Sequence, residues 1–253
     1  MGVNPKLLRR SPLFADLPPA DVNAVAEMAG MRWFDRGEYL YRQGEVPDSF
    51  YVVFDGAVKV SRVTPGGKAM VIDFRGPGNV VGGRAIVAEQ VHADDASAVE
   101  DVLVAAIPLR PAAELLASRP GAALSLARHL ASRLSARESK VAALSTQRVH
   151  QRLAEALLEL SRSLGAAVDD VTVINARLTQ AELAEWIGTT RETTSTLLNG
   201  LRRAGLIDVE SRRIHLRDLA ALEAYAALEE LPEDLGELTL TLRGQPPALA
   251  RSV

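Results

Sequence analysis

The residues best placed to do chemistry in this chain are Arg191 and Glu192. They stand side by side in the stretch TTRETTSTLLNGLRRAG, residues 189–205, among Thr190, Thr193, Thr194, Ser195 and Thr196. A guanidinium donates two hydrogen bonds to guanine O6 and N7, and a carboxylate accepts one from cytosine N4. Small hydroxyls let a backbone approach closely and bond to phosphates. The competing reading is a solvated charge pair at an ordinary helix end. No other chemistry stands out. No nucleophile–His–acid spacing, zinc motif or phosphate-cradling glycine loop occurs, so an enzyme is not expected. The chain has no cysteine, which excludes disulfides, thiolate zinc and Cys-bound iron–sulfur clusters. Its histidines are His92, His129, His150 and His215.

The elements that must position Arg191 and Glu192 can be read from local signals. Thr179 and Glu182 form a Ser/Thr-x-x-Glu capping box that opens a helix through Leu183, Trp186 and Ile187 to Gly188. A second helix is expected to open at Thr189-Thr190-Arg191-Glu192, again with Thr three residues before Glu. It runs to Arg203 and stops at Gly205, with Leu197, Leu198 and Leu201 seating it. LIDVESRRIHL, residues 206–216, then reads as two short strands around a polar turn. Helix, turn, helix and hairpin make a winged helix-turn-helix, which places the start of its second helix in the major groove. Net charge is −3, but residues 177–217 hold seven arginines against five acids, and residues 218–253 hold two against seven. Phosphates respond to the local field, so this basic module is compatible with DNA.

Upstream, residues 31–108 read as short strands between Gly-containing turns, such as YVVFDGAVKVSRV (51–63) and AMVIDF (69–74), which implies a sandwich, roll or barrel. From Pro120 to Leu144 the spacing of Ala123, Ala127, Leu130, Leu134, Arg137, Val141 and Leu144 alternates four and three. That heptad seam favours a paired helix over one lying on its own domain. No run of 18 apolar residues and no secretory signal occurs, so no membrane span is expected and the cytoplasm is the expected location. The expected domains are a sensory β-roll at 1–110, connecting and dimerisation helices at 111–147, a winged helix-turn-helix at 148–225 and an acidic extension at 226–253. The extension carries Glu229, Glu230, Glu233, Asp234 and Glu237, and truncation after Ala227 is expected to leave the fold intact.

Three stretches together resemble the cyclic-AMP receptor protein and fumarate–nitrate regulator (CRP/FNR) family of bacterial transcription regulators. They are RGEYLYRQGEVPDSFYVVFDGAVKV (36–60), the seam helix, and LTQAELAEWIGTTRETTSTLLNGLRRAGLI (178–207). The resemblance covers residues 12–224. It implies an α+β chain with a cyclic-nucleotide-binding-like β-roll, a long dimerisation helix and a C-terminal winged helix-turn-helix. It further implies a homodimer on palindromic double-stranded DNA, with RNA polymerase as partner. Arg191 and Glu192 fall on the family's base-reading pair. Ser195 falls where the fumarate–nitrate branch has Ser, and Thr196 falls where a second base-reading Arg is usual. Thr179 and Thr190 fall on phosphate-contacting hydroxyls, and Gln180, Thr194 and Asn199 complete the expected DNA-binding set.

The effector site departs from the family. Gly82-Gly83 stands for the Gly-Glu that holds the ribose, and Asp94-Asp95 for the Arg-Ser that holds the cyclic phosphate. Arg137-Glu138 stands for the Thr-Ser that meets adenine. Two carboxylates repel a phosphate, so cyclic AMP bound in the usual way is not expected, although Arg84 could supply a charge. A bridge from Asp94 or Asp95 to Arg137 is expected in place of the ligand. No cofactor is expected, and a haem on a histidine stays open. The alternative function is a β-roll module acting mainly through a protein partner, with weak DNA binding.

Overall fold

The computed structural model describes residues 2–231 apart from 65, 68, 89 and 90. The chain divides into two compact units, residues 1–140 and 141–253. In the first, α1 (Pro5–Leu8) and α2 (Pro19–Met28) precede eight strands. These are β1 (Gly30–Phe34), β2 (Tyr39–Tyr41), β3 (Ser49–Asp55), β4 (Val58–Val63), β5 (Ala69–Arg75), β6 (Val80–Val81), β7 (Asp95–Ala98) and β8 (Val102–Pro108). A short 3₁₀ turn, Gly83–Ile86, follows β6. Then come α3 (Leu109–Ser118) and the long α4 (Pro120–Thr146).

The strands form two sheets, ordered β1-β8-β3-β6 and β2-β7-β4-β5, and their neighbours run antiparallel. The apolar run of β3 has a simple cause: the strand is buried on both faces. Phe50 and Val52 pack with Leu8, Phe14 and Val25 of the N-terminal helical segment. Tyr51 and Val53 point the other way and pack with Val58, Val102 and Val104. Each such side chain contributes about 1.5–3 kcal/mol through burial. Strand β8 divides likewise, with Ala105 and Ile107 in the first cluster and Val102, Val104 and Ala106 in the second.

Helix α4 does two things at once. Ala122, Ser125 and Leu126 are buried on its own unit, and the Ser125 hydroxyl donates to the Leu13 carbonyl at 2.9 Å. Most of the heptad seam is exposed. Ala123, Ala127, Arg137, Val141 and Leu144 are exposed, and Leu134 is 58% exposed. Leu130 alone in the seam leans on the first core.

The second unit contains α5 (Val149–Leu164), β9 (Gly165–Val168), β10 (Val171–Ile174), α6 (Gln180–Ile187), α7 (Arg191–Arg203), β11 (Ile207–Glu210), β12 (Arg213–Leu216) and α8 (Leu219–Ala226). Its sheet is ordered β11-β12-β10-β9. The Gly/Asp-rich stretch at 165–170 carries no strand pattern, yet Gly165–Val168 pairs with Val171–Ile174. The strand forms because β10, already paired with β12, offers its other edge, and Asp169 turns the chain with φ 53°.

The start of the acidic extension is tied down. His150, buried on α5, donates through Nε2 to the Leu228 carbonyl at 2.9 Å, and its ring meets Tyr225 edge-on at 5.6 Å. Arg148 pairs with Glu230 at 3.0 Å. Truncation after Ala227 would strip the buried His150 of this acceptor, and truncation after Glu230 would keep it. Glu233, Asp234 and Glu237 lie outside the described residues.

Candidate DNA interface and ligand cavity

Local hydrogen bonds set the two helices of the reading unit. Thr179 caps α6: its hydroxyl accepts from the Glu182 N–H at 3.1 Å, and the Glu182 carboxylate accepts from the Thr179 N–H at 2.9 Å. Gly188 ends α6 in the left-handed region, φ 70°, where a side chain would be strained and would crowd Leu144. The cap of α7 is Thr190, whose hydroxyl accepts from the Thr193 N–H at 3.2 Å. This differs by one residue from the Thr189–Glu192 box expected from spacing, because Thr189 still belongs to the turn and its N–H bonds the Ala184 carbonyl. Leu198 and Leu201 are buried beneath α7, while Leu197 is only partly buried.

One face of α7 is open. Arg191, Glu192, Thr196 and Asn199 are exposed there and Ser195 is half-buried, at spacings of one, three, one and three. No ion pair joins Arg191 to Glu192 among the described residues. Glu192 is instead held below the usual carboxylate range by hydrogen bonds from its own backbone N–H and the Thr190 hydroxyl, with Arg191 adding less. It is therefore an ionised acceptor at neutral pH. Thr196 donates its hydroxyl back to the Glu192 carbonyl at 3.0 Å.

The remaining expected residues fall differently. Thr194 is fully buried, and its hydroxyl bonds the Thr190 carbonyl at 3.0 Å, so it supports the helix and cannot touch a partner. Thr179 and Thr190 are exposed, Gln180 is half-buried, and both threonine hydroxyls also serve as caps.

Several arginines around α7 do not stand out in the sequence. Arg152 of α5 donates to the Ile187 carbonyl at 2.8 Å and the Gln147 carbonyl at 2.6 Å, fixing the turn before α7. Arg202 and Arg217 flank Asp208 at 3.8 and 3.1 Å, forming with Arg203 a basic rim between α7 and the hairpin. The hairpin tip, Ser211-Arg212, has φ 51° and 65°, so Arg212 is held outward by a tight turn usually made with Gly or Asn. The SRR run signals a basic wing; the contacts of Arg152 have no sequence signal.

In the first unit a cavity of about 190 Å³ lies between the sheets' end and α4. It gathers Gly82, Gly83, Arg84, Asp94 and Arg137 from the expected effector site. Asp95 and Glu138 do not line it. Asp95 accepts instead from the Gln43 N–H at 2.7 Å, and Glu138 is exposed. Gly83 sits where a Cβ would come within 2.8 Å of Val80, so no carboxylate could be placed there without displacing that side chain.

The expected Asp94–Arg137 bridge is not formed. Asp94 accepts from the Tyr41 hydroxyl at 3.1 Å, and the Tyr41 ring stacks on His92 at 3.6 Å. Burial first, and then Asp94, raises the Tyr41 pKa, so Tyr41 stays protonated and donates. The acid that meets α4 is Asp73 of β5. It pairs with Arg133 of α4 and with Arg75, at 3.0 Å, two residues along its own strand. It also accepts from the Phe74 N–H at 2.8 Å. Burial lowers the Arg75 pKa to about 10; Asp73 opposes that shift, while Arg133 and Arg137 add to it. His129 is pushed down to about 4 by burial and by the charges of Arg133 and Arg75, and is neutral at physiological pH.

Comparison with known proteins agrees with this division. The Cyclic nucleotide-binding domain family matches residues 31–119, and the Crp-like helix-turn-helix domain family matches residues 151–225. The chain is 30% identical over 220 residues to the cyclic AMP receptor protein of Thermus thermophilus, covering 87% of this chain and 98% of that one. It is 26% identical to the CRP-like cAMP-activated global transcriptional regulator of Mycobacterium tuberculosis, over 87% of this chain and 99% of that one. Among solved structures, FixK2 from Bradyrhizobium japonicum superposes with a TM-score of 0.70 at 25% identity, covering 79% of this chain and 98% of that one. A CRP/FNR-family transcriptional regulator from Thermus thermophilus superposes with 0.64 at 30% identity, covering 79% and 100%.

Proposed function

Because the chain belongs to the CRP/FNR family of transcription regulators, we propose that it binds palindromic promoter DNA as a homodimer and is not gated by cyclic AMP in the usual way. It is a DNA-binding regulator and not an enzyme, as its relatives are. The observation that carries the reading is the open face of α7, where Arg191 and an ionised Glu192 stand beside the exposed Thr196 and Asn199. That set matches guanine O6 and N7 with a guanidinium, and cytosine N4 with a carboxylate. The arginines at 202, 203, 212 and 217 supply phosphate contacts around it.

Dimerisation is supported by α4. Its seam leaves Leu134 and Val141 58% and 65% exposed, an apolar stripe that a second copy of the helix would cover. A two-fold dimer reads two half-sites about 34 Å apart along the duplex. RNA polymerase is the partner such a promoter-bound regulator would engage, and the cytoplasm is where it would act. No described helix is long and apolar enough to cross a membrane. Independence from cyclic AMP is supported by Gly83, which leaves the ribose without an acid, and by Asp94 beside the place of the cyclic phosphate. A haem is disfavoured, because the cavity is smaller than a haem and His92 lies flat against Tyr41.

A second reading, a module that works mainly through a protein partner, is favoured by Met31 and Trp33. They are 43% and 66% exposed on β1, the edge strand of its sheet. One experiment separates the two. The full chain is titrated against palindromic and scrambled duplexes over a range of salt, with and without cyclic AMP. Selective binding that cyclic AMP changes less than tenfold supports the first reading. Binding without selectivity supports the second. A tenfold or larger gain with cyclic AMP overturns effector independence.

A further inference from the structure

We propose that the cavity between the β-roll and α4 binds a small oxyanion, a phosphate or carboxylate on a compact body, through Arg75, Arg137 and Arg84. This rests on the reading that cyclic AMP is not the effector, and it names the chemistry that replaces it.

The first argument is an unsatisfied donor. Arg75 is only 7% exposed and lines the cavity, yet its Nε has no hydrogen-bond partner among the described residues. A buried N–H without an acceptor is costly, and a native structure keeps one where something supplies the acceptor.

The second is charge. Arg84, Arg133 and Arg137 line the cavity with Arg75. Two carboxylates are at hand, and both are engaged. Asp73 is shared between Arg75 and Arg133, and Asp94 holds the Tyr41 hydroxyl. Arg137 has no acidic partner among the described residues. The surplus shows in Arg75 itself, which loses proton affinity to its neighbours Arg133 and Arg137 as well as to burial. An oxyanion bonded to Arg75 Nε and facing Arg137 would relieve both faults with charge-assisted hydrogen bonds.

The third is size and lining. A cavity of about 150 Å³ in a protein interior takes a benzene-sized guest; this one measures about 190 Å³. Val80, Val81 and Leu130 line the same space, so the guest has room for a short apolar body beside its charged group. His129, neutral near pH 7, adds a polar atom without adding charge.

The test uses the full-length protein in chloride buffer, titrated calorimetrically with inorganic phosphate, succinate and cyclic AMP. Saturable binding of phosphate or succinate, one per chain, is expected. Phosphate alone points to a phosphorylated effector, succinate alone to a carboxylate, and either supports the proposal. Arg137→Gln, at an exposed position, should fold normally and weaken the anion at least tenfold; Arg75→Met should do the same. If Arg75→Met fails to fold, Arg84→Gln serves as the second variant. Anion binding that none of these changes moves lies elsewhere on the surface and overturns the proposal. No binding of any probe overturns it while leaving cyclic-AMP independence intact. Binding of cyclic AMP alone overturns both.

Discussion

The recognition helix and the cavity treat charge in opposite ways. On α7, Arg191 and Glu192 are exposed, unpaired with each other and oriented by bonds that reach no more than four residues along the chain. In the cavity, Asp73 and Arg75 are buried, and Asp73 meets Arg133 from 60 residues away. Exposed charges keep their hydration until DNA displaces it, so they contribute little to folding and much to selectivity. Buried charges have lost their hydration already, so they must be paired for the domain to fold. A surface of exposed charges therefore tolerates substitution cheaply, whereas a cavity of buried charges tolerates it only when its charges are rebalanced.

The sharpest way to break this contrast is to remove the carboxylate at the centre of the cavity. Asp73→Ala leaves two guanidiniums facing each other and should cost about 3–5 kcal/mol of stability in urea unfolding. Phosphate should restore part of the loss if an oxyanion can take the carboxylate's place. A change of less than about 1 kcal/mol would show that water, and not Asp73, balances these arginines.

On the reading helix the effect should appear in selectivity and not in folding. Arg191→Ala should cost about 1–3 kcal/mol on the preferred site and flatten discrimination at one G·C pair, with unfolding unchanged. Thr196→Arg should add a guanine preference of similar size at the neighbouring pair. A binding titration against half-site variants at fixed salt decides. Equal weakening on every sequence would mean that Arg191 only grips phosphate.

His129 gives the cavity a pH signature that the recognition helix lacks. Its folded pKa, about 4, lies below the ordinary 6.5, so the unfolded chain binds more protons between those values. Its contribution to stability is complete above pH 6.5 and is lost as pH falls toward 4. The loss should be about 1–2 kcal/mol after allowance for partial exposure. His129→Gln should flatten that part of the stability profile, because its neighbours Arg133 and Arg75 stay charged throughout. An unchanged slope would place the titration elsewhere.

The smallest effect belongs to the caps. Thr190→Ala should cost about 1 kcal/mol of thermal stability through the lost Thr193 N–H bond. If Thr190 also meets phosphate, binding should weaken uniformly across sequences. Thr190→Ser should restore both.

How much of this was legible depended on the range of the forces involved. The capping box at Thr179, the stop at Gly188, the strand alternation and the seam of α4 are short-range patterns, set by the backbone's own unsatisfied groups and by side-chain period. Those features carried the fold, and with it the position of Arg191 and Glu192 at the start of α7, directly from sequence. Tertiary structure alone decided what needs two distant segments to meet. Spacing did not show that Thr194 is buried, that Arg152 holds the turn before α7, or that 165–168 finds a strand edge. Nor did it choose Asp73 over Asp94 as the acid facing α4. Asp73, Asp94, Arg133 and Arg137 were all visible as letters, but Coulomb attraction falls with distance and rises with burial. Only the packing of β5 against α4 sets both for Asp73 and Arg133, and only the hydroxyl of Tyr41 turns Asp94 aside.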